Sequence, residues 1–370
     1  MKSIPSTVLV CELLISALAL AAGYNLAFGA AGNPAKPTSY TLTPINAEMW
    51  GPVDINDKGD VLIERQLTQF ASPAPLIIKK NGKETAAFEC PETTNDTNGE
   101  GINNHGDIVG HCGHDARALG LFAFVANPKT GSLTLLAYPD AQTTWGYGIN
   151  DFGQVVGFYA NQPEPPFCCN LPPRHLHSFF WDKATNQYRT IDNPLAELVG
   201  GWTWLKGINN KGQMVGHYNT LTNVPWEEYQ FIYDNGTFTP IEFPGAAQTH
   251  ITGFNNNSQI FGWYTDSGCH SMCLFLFDSG EYFKISVPLP DNAPYPNGMF
   301  VQPASLINVG GLNDNGQFVG TYHRILEWGP DPFYPEEFAP TKTELVNFIA
   351  TPAKPGKSPK AGKKKTEMVN

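Results

Sequence analysis

Charge is what this chain has least of. Of 370 residues only 15% are Asp, Glu, Lys or Arg, where a globular protein usually carries about a quarter. Hydrophobic residues at 41% and aromatics at 12% are too many for wholesale disorder. With 36 Gly and 31 Pro, a long-helix or coiled-coil protein is excluded as well. Basic residues are outnumbered 23 to 34, for a formal net charge of −11. The imbalance deepens in residues 1–352, which hold 17 basic and 33 acidic groups. Such a surface repels phosphate backbones and speaks against a nucleic-acid partner. Signatures of chemistry are missing too: there is no G-x-S-x-G, P-loop or dinucleotide fingerprint, and no paired C-x₂-C or H-E-x-x-H zinc spacing. No cofactor and no metal site is expected, and carboxylate spacing alone picks out no glycosidase pair. What remains describes an all-β chain rich in turns.

The two ends read as separate pieces. Residues 1–30 form an export signal, with Lys2, an apolar stretch from Val8 to Ala22, and small residues allowing cleavage after Ala21 or Gly29. An uncleaved membrane anchor is the competing reading, made costlier by Glu12 within the apolar stretch. Residues 31–38 are a linker. Residues 353–370 carry six Lys and no large apolar residue before Met368, so a disordered Lys-rich tail is expected. Only the signal or this tail would touch a membrane, and the expected location is secreted, extracellular or periplasmic.

Between the ends stands a repeat. Six twelve-residue segments align without gaps: DINDKGDVLIER from Asp54, GINNHGDIVGHC from Gly101, GINDFGQVVGFY from Gly148, GINNKGQMVGHY from Gly207, GFNNNSQIFGWY from Gly253 and GLNDNGQFVGTY from Gly311. Successive starts lie 47, 47, 59, 46 and 58 residues apart, periods that mark solenoids or propellers. The third-place Asn (Asn56, Asn103, Asn150, Asn209, Asn255, Asn313) can bond the backbone ahead of it and begin a turn. The Gly three residues on (Gly59, Gly106, Gly153, Gly212, Gly316) supplies a positive φ. Ser258 replaces it in the fifth copy, where a strained or differently shaped turn is expected. The later Gly110, Gly157, Gly216, Gly262 and Gly320 mark close approach of a neighbouring strand.

Each motif is thus a hairpin, and two more strands follow it. One is aromatic (Leu121–Phe124, Ser178–Trp181, Gln230–Tyr233, Leu274–Phe277, and a weaker Leu76–Ile78); the other closes the unit near a Pro. Four antiparallel strands repeated six times predict an all-β, six-bladed β-propeller, one ring over residues 39–352 in place of the two or three domains that length suggests. Ala160–His175 and Pro288–Ser305 read as insertions on that frame. Either Tyr40–Ile45 or Glu344–Ile349 fits as the last closing strand, leaving one surplus, with both termini packed at the seam.

The GIN-D/N-x-G-Q-V-V-G pattern, with a strand of the His177-Ser178-Phe179 kind after it, resembles the bacterial extracellular repeat proteins called the HAF-repeat family. The likeness covers nearly all of residues 40–350; of the aromatic triplet the other units keep Phe122, Phe231 and Phe275. The resemblance implies export and a propeller-like fold, and it carries over no catalytic residue.

Without the signal, six Cys remain, an even number that suggests disulfides in an exported chain. Cys90 and Cys112 can meet across neighbouring units, and Cys269 and Cys273 can staple a strand connection, while the pairing of Cys168 and Cys169 stays open. His111 and His217 share a motif place with Phe158, Trp263 and Thr321, as at a variable strand position. The candidate ligand surface is the set of loops before the motifs, bearing Trp50, Glu100, Trp145, Tyr147, Trp202, Trp204 and His250. Aromatic faces with polar partners suit sugars or peptides; packing between blades is the competing reading. The expectation is a non-catalytic binding or adhesion scaffold for a surface glycan, peptide or protein. A secreted or periplasmic hydrolase or lyase working at the channel mouth is the alternative, and a structural envelope protein is a third.

Overall fold

The asparagine of each motif organises its own turn. Asn150 Oδ1 accepts from the backbone N–H groups of Phe152 (3.1 Å) and Gln154 (3.0 Å), and Gly153, at φ 74°, donates back to the Asn150 carbonyl. The same pair of bonds is made by Asn56, Asn103, Asn209, Asn255 and Asn313. Ser258 takes a φ of 64° and donates to Asn255 as the glycines do. The fifth turn therefore keeps the shape of the others and, of the two outcomes expected, is the strained one, with a side chain at positive φ. Its side chain offsets part of the strain by bonding Gln213 and Lys211.

A computed structural model describes residues 39–45, 51–64, 76–80, 83–88, 90, 96–113, 121–161, 176–198, 200–220, 227–296, 303–330 and 338–353. Its strands assemble as four-stranded antiparallel sheets. The first sheet holds β2 (Pro52–Ile55), β3 (Asp60–Glu64), β4 (Leu76–Lys80) and β5 (Lys83–Phe88). The second holds β6 (Asp96–Ile102), β7 (Ile108–Gly113), β8 (Phe122–Asn127) and β9 (Ser132–Leu136). In the third are β10 (Thr143–Ile149), β11 (Val155–Ala160), β12 (Leu176–Asp182) and β13 (Gln187–Thr190). A short helix α1 (Pro194–Leu198) leads to the fourth: β14 (Trp202–Ile208), β15 (Met214–Asn219), β16 (Glu228–Asp234) and β17 (Thr237–Pro240). The fifth is β18 (Gln248–Phe254), β19 (Ile260–Asp266), β20 (Cys269–Asp278) and β21 (Glu281–Ile285). The last sheet runs β22 (Ser305–Gly310), β23 (Phe318–Pro330), β24 (Phe338–Pro352) and then β1 (Tyr40–Ile45).

That last order answers the question of the seam. Glu344–Ile349 lies in β24, the third strand of its sheet, and β1 pairs outside it from Tyr40↔Pro352 to Ile45↔Asn347. Neither segment is surplus. The reason is visible in register: each interior glycine faces a phenylalanine on the third strand, as in Gly157↔Phe179, Gly216↔Phe231 and Gly262↔Phe275. Phe348 holds that place opposite Gly320. In the second sheet it is Phe124 that faces Gly110 and is fully buried, whereas Phe122, read from sequence as the equivalent ring, is exposed.

The turns also tie the sheets to one another. Each motif Asn donates its Nδ2 to the carbonyl of the next one: Asn56 to Asn103, Asn103 to Asn150, Asn150 to Asn209, Asn209 to Asn255, Asn255 to Asn313, and Asn313 back to Asn56, at 2.9–3.3 Å. A second circuit joins the residues that follow. Backbone N–H groups of Asp57, Asn104, Asp151, Asn210, Asn256 and Asp314 each donate to the next side-chain Oδ1, again returning to Asp57. Both circuits close, so the sheets are blades of a single ring, an all-β propeller. The apolar core lies between blades, for example Val109 and Val125 of the second against Tyr159, Phe179 and Trp181 of the third. Cys90 bonds Cys112, linking the first blade to the second, and Cys269 bonds Cys273. The export signal, the linker, Trp50, Cys168, Cys169 and most of the third-unit insertion and tail lie outside the described residues.

Candidate functional site

Every first strand carries a bulge. Pairing with its neighbour skips Val53, Glu100, Tyr147, Lys206 and Thr252, each the residue just before its motif. In the last blade the skipped residue is Ile307, which is exposed. A bulge leaves one residue unpaired and re-aims its side chain. Here the five before the motifs all line a cavity of about 380 Å³ on the ring axis, which Asn308 joins from β22. One step along, the motifs begin with Gly101, Gly148, Gly207, Gly253 and Gly311, which also line it. A Cβ on Gly148 would stand 2.8 Å from the Cα of Gly207, and one on Gly253 would stand 2.7 Å from the backbone of Gly311. Only the first motif places a side chain at this neck: Asp54, whose carboxylate accepts from Ile55 N (2.8 Å) and Ile102 N (2.9 Å).

The candidate ligand residues lie in these first strands rather than in loops. Glu100, Trp145, Tyr147, Trp202, Trp204 and His250 belong to β6, β10, β14 and β18; Trp50 is outside the described residues. The aromatic members turn towards each other. Trp145 stacks on His111 at 4.0 Å and on Phe158 at 5.1 Å. Tyr147 meets Trp204 edge-on at 5.1 Å, and Trp204 meets Phe158 likewise at 4.6 Å. Trp202 is buried with Phe158, Ala160 and Leu176. These rings pack the third blade against the fourth, so the expected open aromatic surface is instead a mutually stacked cluster in which Trp202 is buried and Trp145, Tyr147 and Trp204 are half-buried. Their mutual stacking leaves the polar groups as the working part of the mouth.

Those polar groups converge from three blades. Glu228 of β16 lies between two imidazoles, Oε1 3.7 Å from His217 Nε2 and Oε2 3.5 Å from His250 Nδ1. His250 stacks on Trp263 at 4.0 Å. Glu100 stands 3.7 Å from His111 Nδ1, and Asn98 bonds the other ring nitrogen. Burial pushes the His111 and His250 imidazoles down to about 4, and His217 well below its ordinary value, Lys206 adding to the effect on the last two. All three are uncharged at neutral pH. Burial likewise lowers the Lys206 ammonium, with Glu228 and Glu100 opposing. Its Nζ makes no hydrogen bond or ion pair to a described residue and sits 5.8 Å from the Trp204 ring. Desolvation raises Asp54 to about 7, against the two backbone bonds it accepts, and Asp57 adds to the rise. Three further buried atoms of the fourth blade, Trp204 Nε1, His217 Nδ1 and Gln230 Nε2, have no hydrogen-bond partner among the described residues.

Sequence reasoning found Glu100, Tyr147 and His250 but missed Lys206, Glu228 and Asp54, and treated His217 as a variable strand position. The available signal was the column before the motifs, which reads Val, Glu, Tyr, Lys, Thr and Gly. Asp54 stood out as the one non-glycine at the first motif place. What the cavity offers chemically is hydrogen bonding of both senses: carboxylates such as Asp54 and Glu100 as acceptors, and the Lys206 amine and the Tyr147 and Thr252 hydroxyls as donors.

No family model matches this chain, and no curated protein does. Similar solved structures include the β-propeller domain of the Trilobed protease from Pyrococcus furiosus, 12% identical, covering 79% of this chain and 85% of that one with a TM-score of 0.44. TolB from Acinetobacter baumannii is 12% identical over 83% of this chain and 65% of its own, with a TM-score of 0.43. A gluconolactonase from Xanthomonas campestris is 12% identical over 84% and 89%, with a TM-score of 0.45. The strand pairing above, and not these likenesses, carries the fold.

Proposed function

We propose that this chain is an exported, six-bladed propeller of the HAF-repeat kind that binds, without catalysis, a polar ligand at the mouth of its central channel. The observation that carries this is the row of bulges, which brings Glu100, Tyr147, Lys206 and Thr252 to one axial cavity. A cavity of about 380 Å³ falls within the roughly 300–1,000 Å³ of small-molecule sites. Asp54, Asp57, Glu100, Asp151 and Asp314 line the cavity against the amine of Lys206, which opposes an anionic ligand, whereas hydroxyl groups satisfy donors and acceptors together. The end of a surface glycan meets those demands better than a peptide backbone. The disulfides fit an oxidising, extracellular or periplasmic compartment.

The test is a glycan array followed by titration calorimetry on Lys206→Met. Loss of a hydrogen bond to a charged group costs about 1.5–3 kcal/mol, so the variant should bind at least about tenfold more weakly while its unfolding midpoint holds. Unchanged affinity removes the mouth as the ligand site. A secreted or periplasmic hydrolase or lyase is the second reading, favoured by the placing of Glu228 between His217 and His250. Turnover of an array hit that vanishes in Glu228→Gln would establish it.

A further inference from the structure

Lys206 differs from the other lysines whose side chains are described in where its amine is kept. Lys58, Lys129, Lys183, Lys211, Lys284 and Lys342 are exposed. Lys206 stands instead in the wall of the axial cavity, with no hydrogen bond or ion pair to a described residue, Trp204 on one side and Glu228 and Glu100 within electrostatic reach. An ammonium held only to balance charge would contact its carboxylate. Here Glu228 and Glu100 lie 3.5–3.7 Å from uncharged imidazoles, and neither makes an ion pair with Lys206, which lines the cavity.

We propose that Lys206 forms a reversible imine with a small aldehyde or the open-chain form of a reducing sugar entering the channel. The inference rests on the mouth being the ligand site and names the class of ligand. The free amine's lone pair attacks the carbonyl carbon, forming the C–N bond while the carbonyl oxygen takes up a proton. Loss of water from that carbinolamine breaks the C–O bond and forms C=N, and the nitrogen's proton leaves to a carboxylate. Glu228 and Glu100 are the acids and bases at hand. One aldehyde and one amine give one imine and one water, with no oxidation or reduction. Desolvation favours the step because only the unprotonated amine is a nucleophile.

The experiment incubates the intact protein at pH 7 with glycolaldehyde and sodium borohydride, which reduces any imine to a stable secondary amine, and maps adducts by peptide mass spectrometry. The expected result is an adduct at Lys206 forming ahead of those at Lys129, Lys183 and Lys211, and its loss in Lys206→Arg. Labelling of Lys206 no faster than of those exposed lysines in the wild-type protein overturns the proposal, whether or not the variant folds. A parallel titration with a methyl glycoside, which has no free carbonyl, separates the two readings. Glycoside binding without Lys206 labelling ends the imine proposal alone, while absence of both ends the channel-mouth reading with it.

Discussion

Asp54 is the residue whose protonation the fold most constrains. Five motifs put glycine at the neck of the channel and one puts a carboxyl there, raised from an ordinary 3.8 to about 7. An acid raised by folding binds its proton more tightly in the folded chain. Its contribution is fully present below 3.8 and is lost as pH climbs through about 7. The loss is at most about 4 kcal/mol, reduced by the water the channel admits. Asp54→Gly removes this titration, in whose net rise to about 7 the two backbone hydrogen bonds are already counted. Urea unfolding of both proteins at pH 4 and pH 8 should show the variant gaining on the wild type as pH rises. His111 and His250 act in the opposite direction, losing stability as pH falls below 6.5 towards about 4, but they are common to both proteins and cancel. A pH-independent difference would mean that Asp54 does not titrate as its surroundings dictate.

At the scale of the element, the two kinds of glycine do different work. Gly212 in the fourth turn has φ 76° and open space where a Cβ would go, so Gly212→Ala costs only the left-handed conformation, about 1–2 kcal/mol. Gly157 in β11 lies beneath the Trp145 carbonyl, which a Cβ would meet at 1.8 Å, with Phe179 at 3.0 Å. Gly157→Ala should cost about 3 kcal/mol or more, measured by the same urea titration. Equal costs would mean that the strands are looser than the register implies. Both glycines were legible in sequence because turn and close approach recur at fixed offsets from Asn150 and Asn209. The bulges were not. Whether Lys206 is skipped or paired depends on the strand opposite it, and nothing local in WTWLKGIN says which. The misplacing of Glu344–Ile349 has a similar cause: the offset from the motif matched a fourth strand, but β23 runs on for 13 residues and displaces its partner along the chain. Sequence likewise located the aromatics before the motifs, but not that Trp145, Tyr147 and Trp204 would spend their faces on one another.

For the molecule as a whole, the seam is packed as the other blade interfaces are. Tyr40 of β1 is buried against Phe318, with ring centroids 4.9 Å apart, and belongs to the cluster that holds Phe261 and Phe348. Tyr40→Ala should lower stability by about 3–5 kcal/mol, as truncation of a buried aromatic does. Calorimetry should still record one cooperative transition, because both circuits run through every blade. Two separate transitions would show that the blades melt as independent units.

The placing of β1 beside β24 also sets an order of events. Tyr40 leaves the ribosome long before its partner Pro352, with more than 300 residues made between them. Until then the last blade lacks its outer strand, and the chain stays an arc with two unfinished ends. No stretch that stops short of β24 can become a wheel, so a nascent chain stalled near residue 340 would remain open to proteases that the closed ring resists.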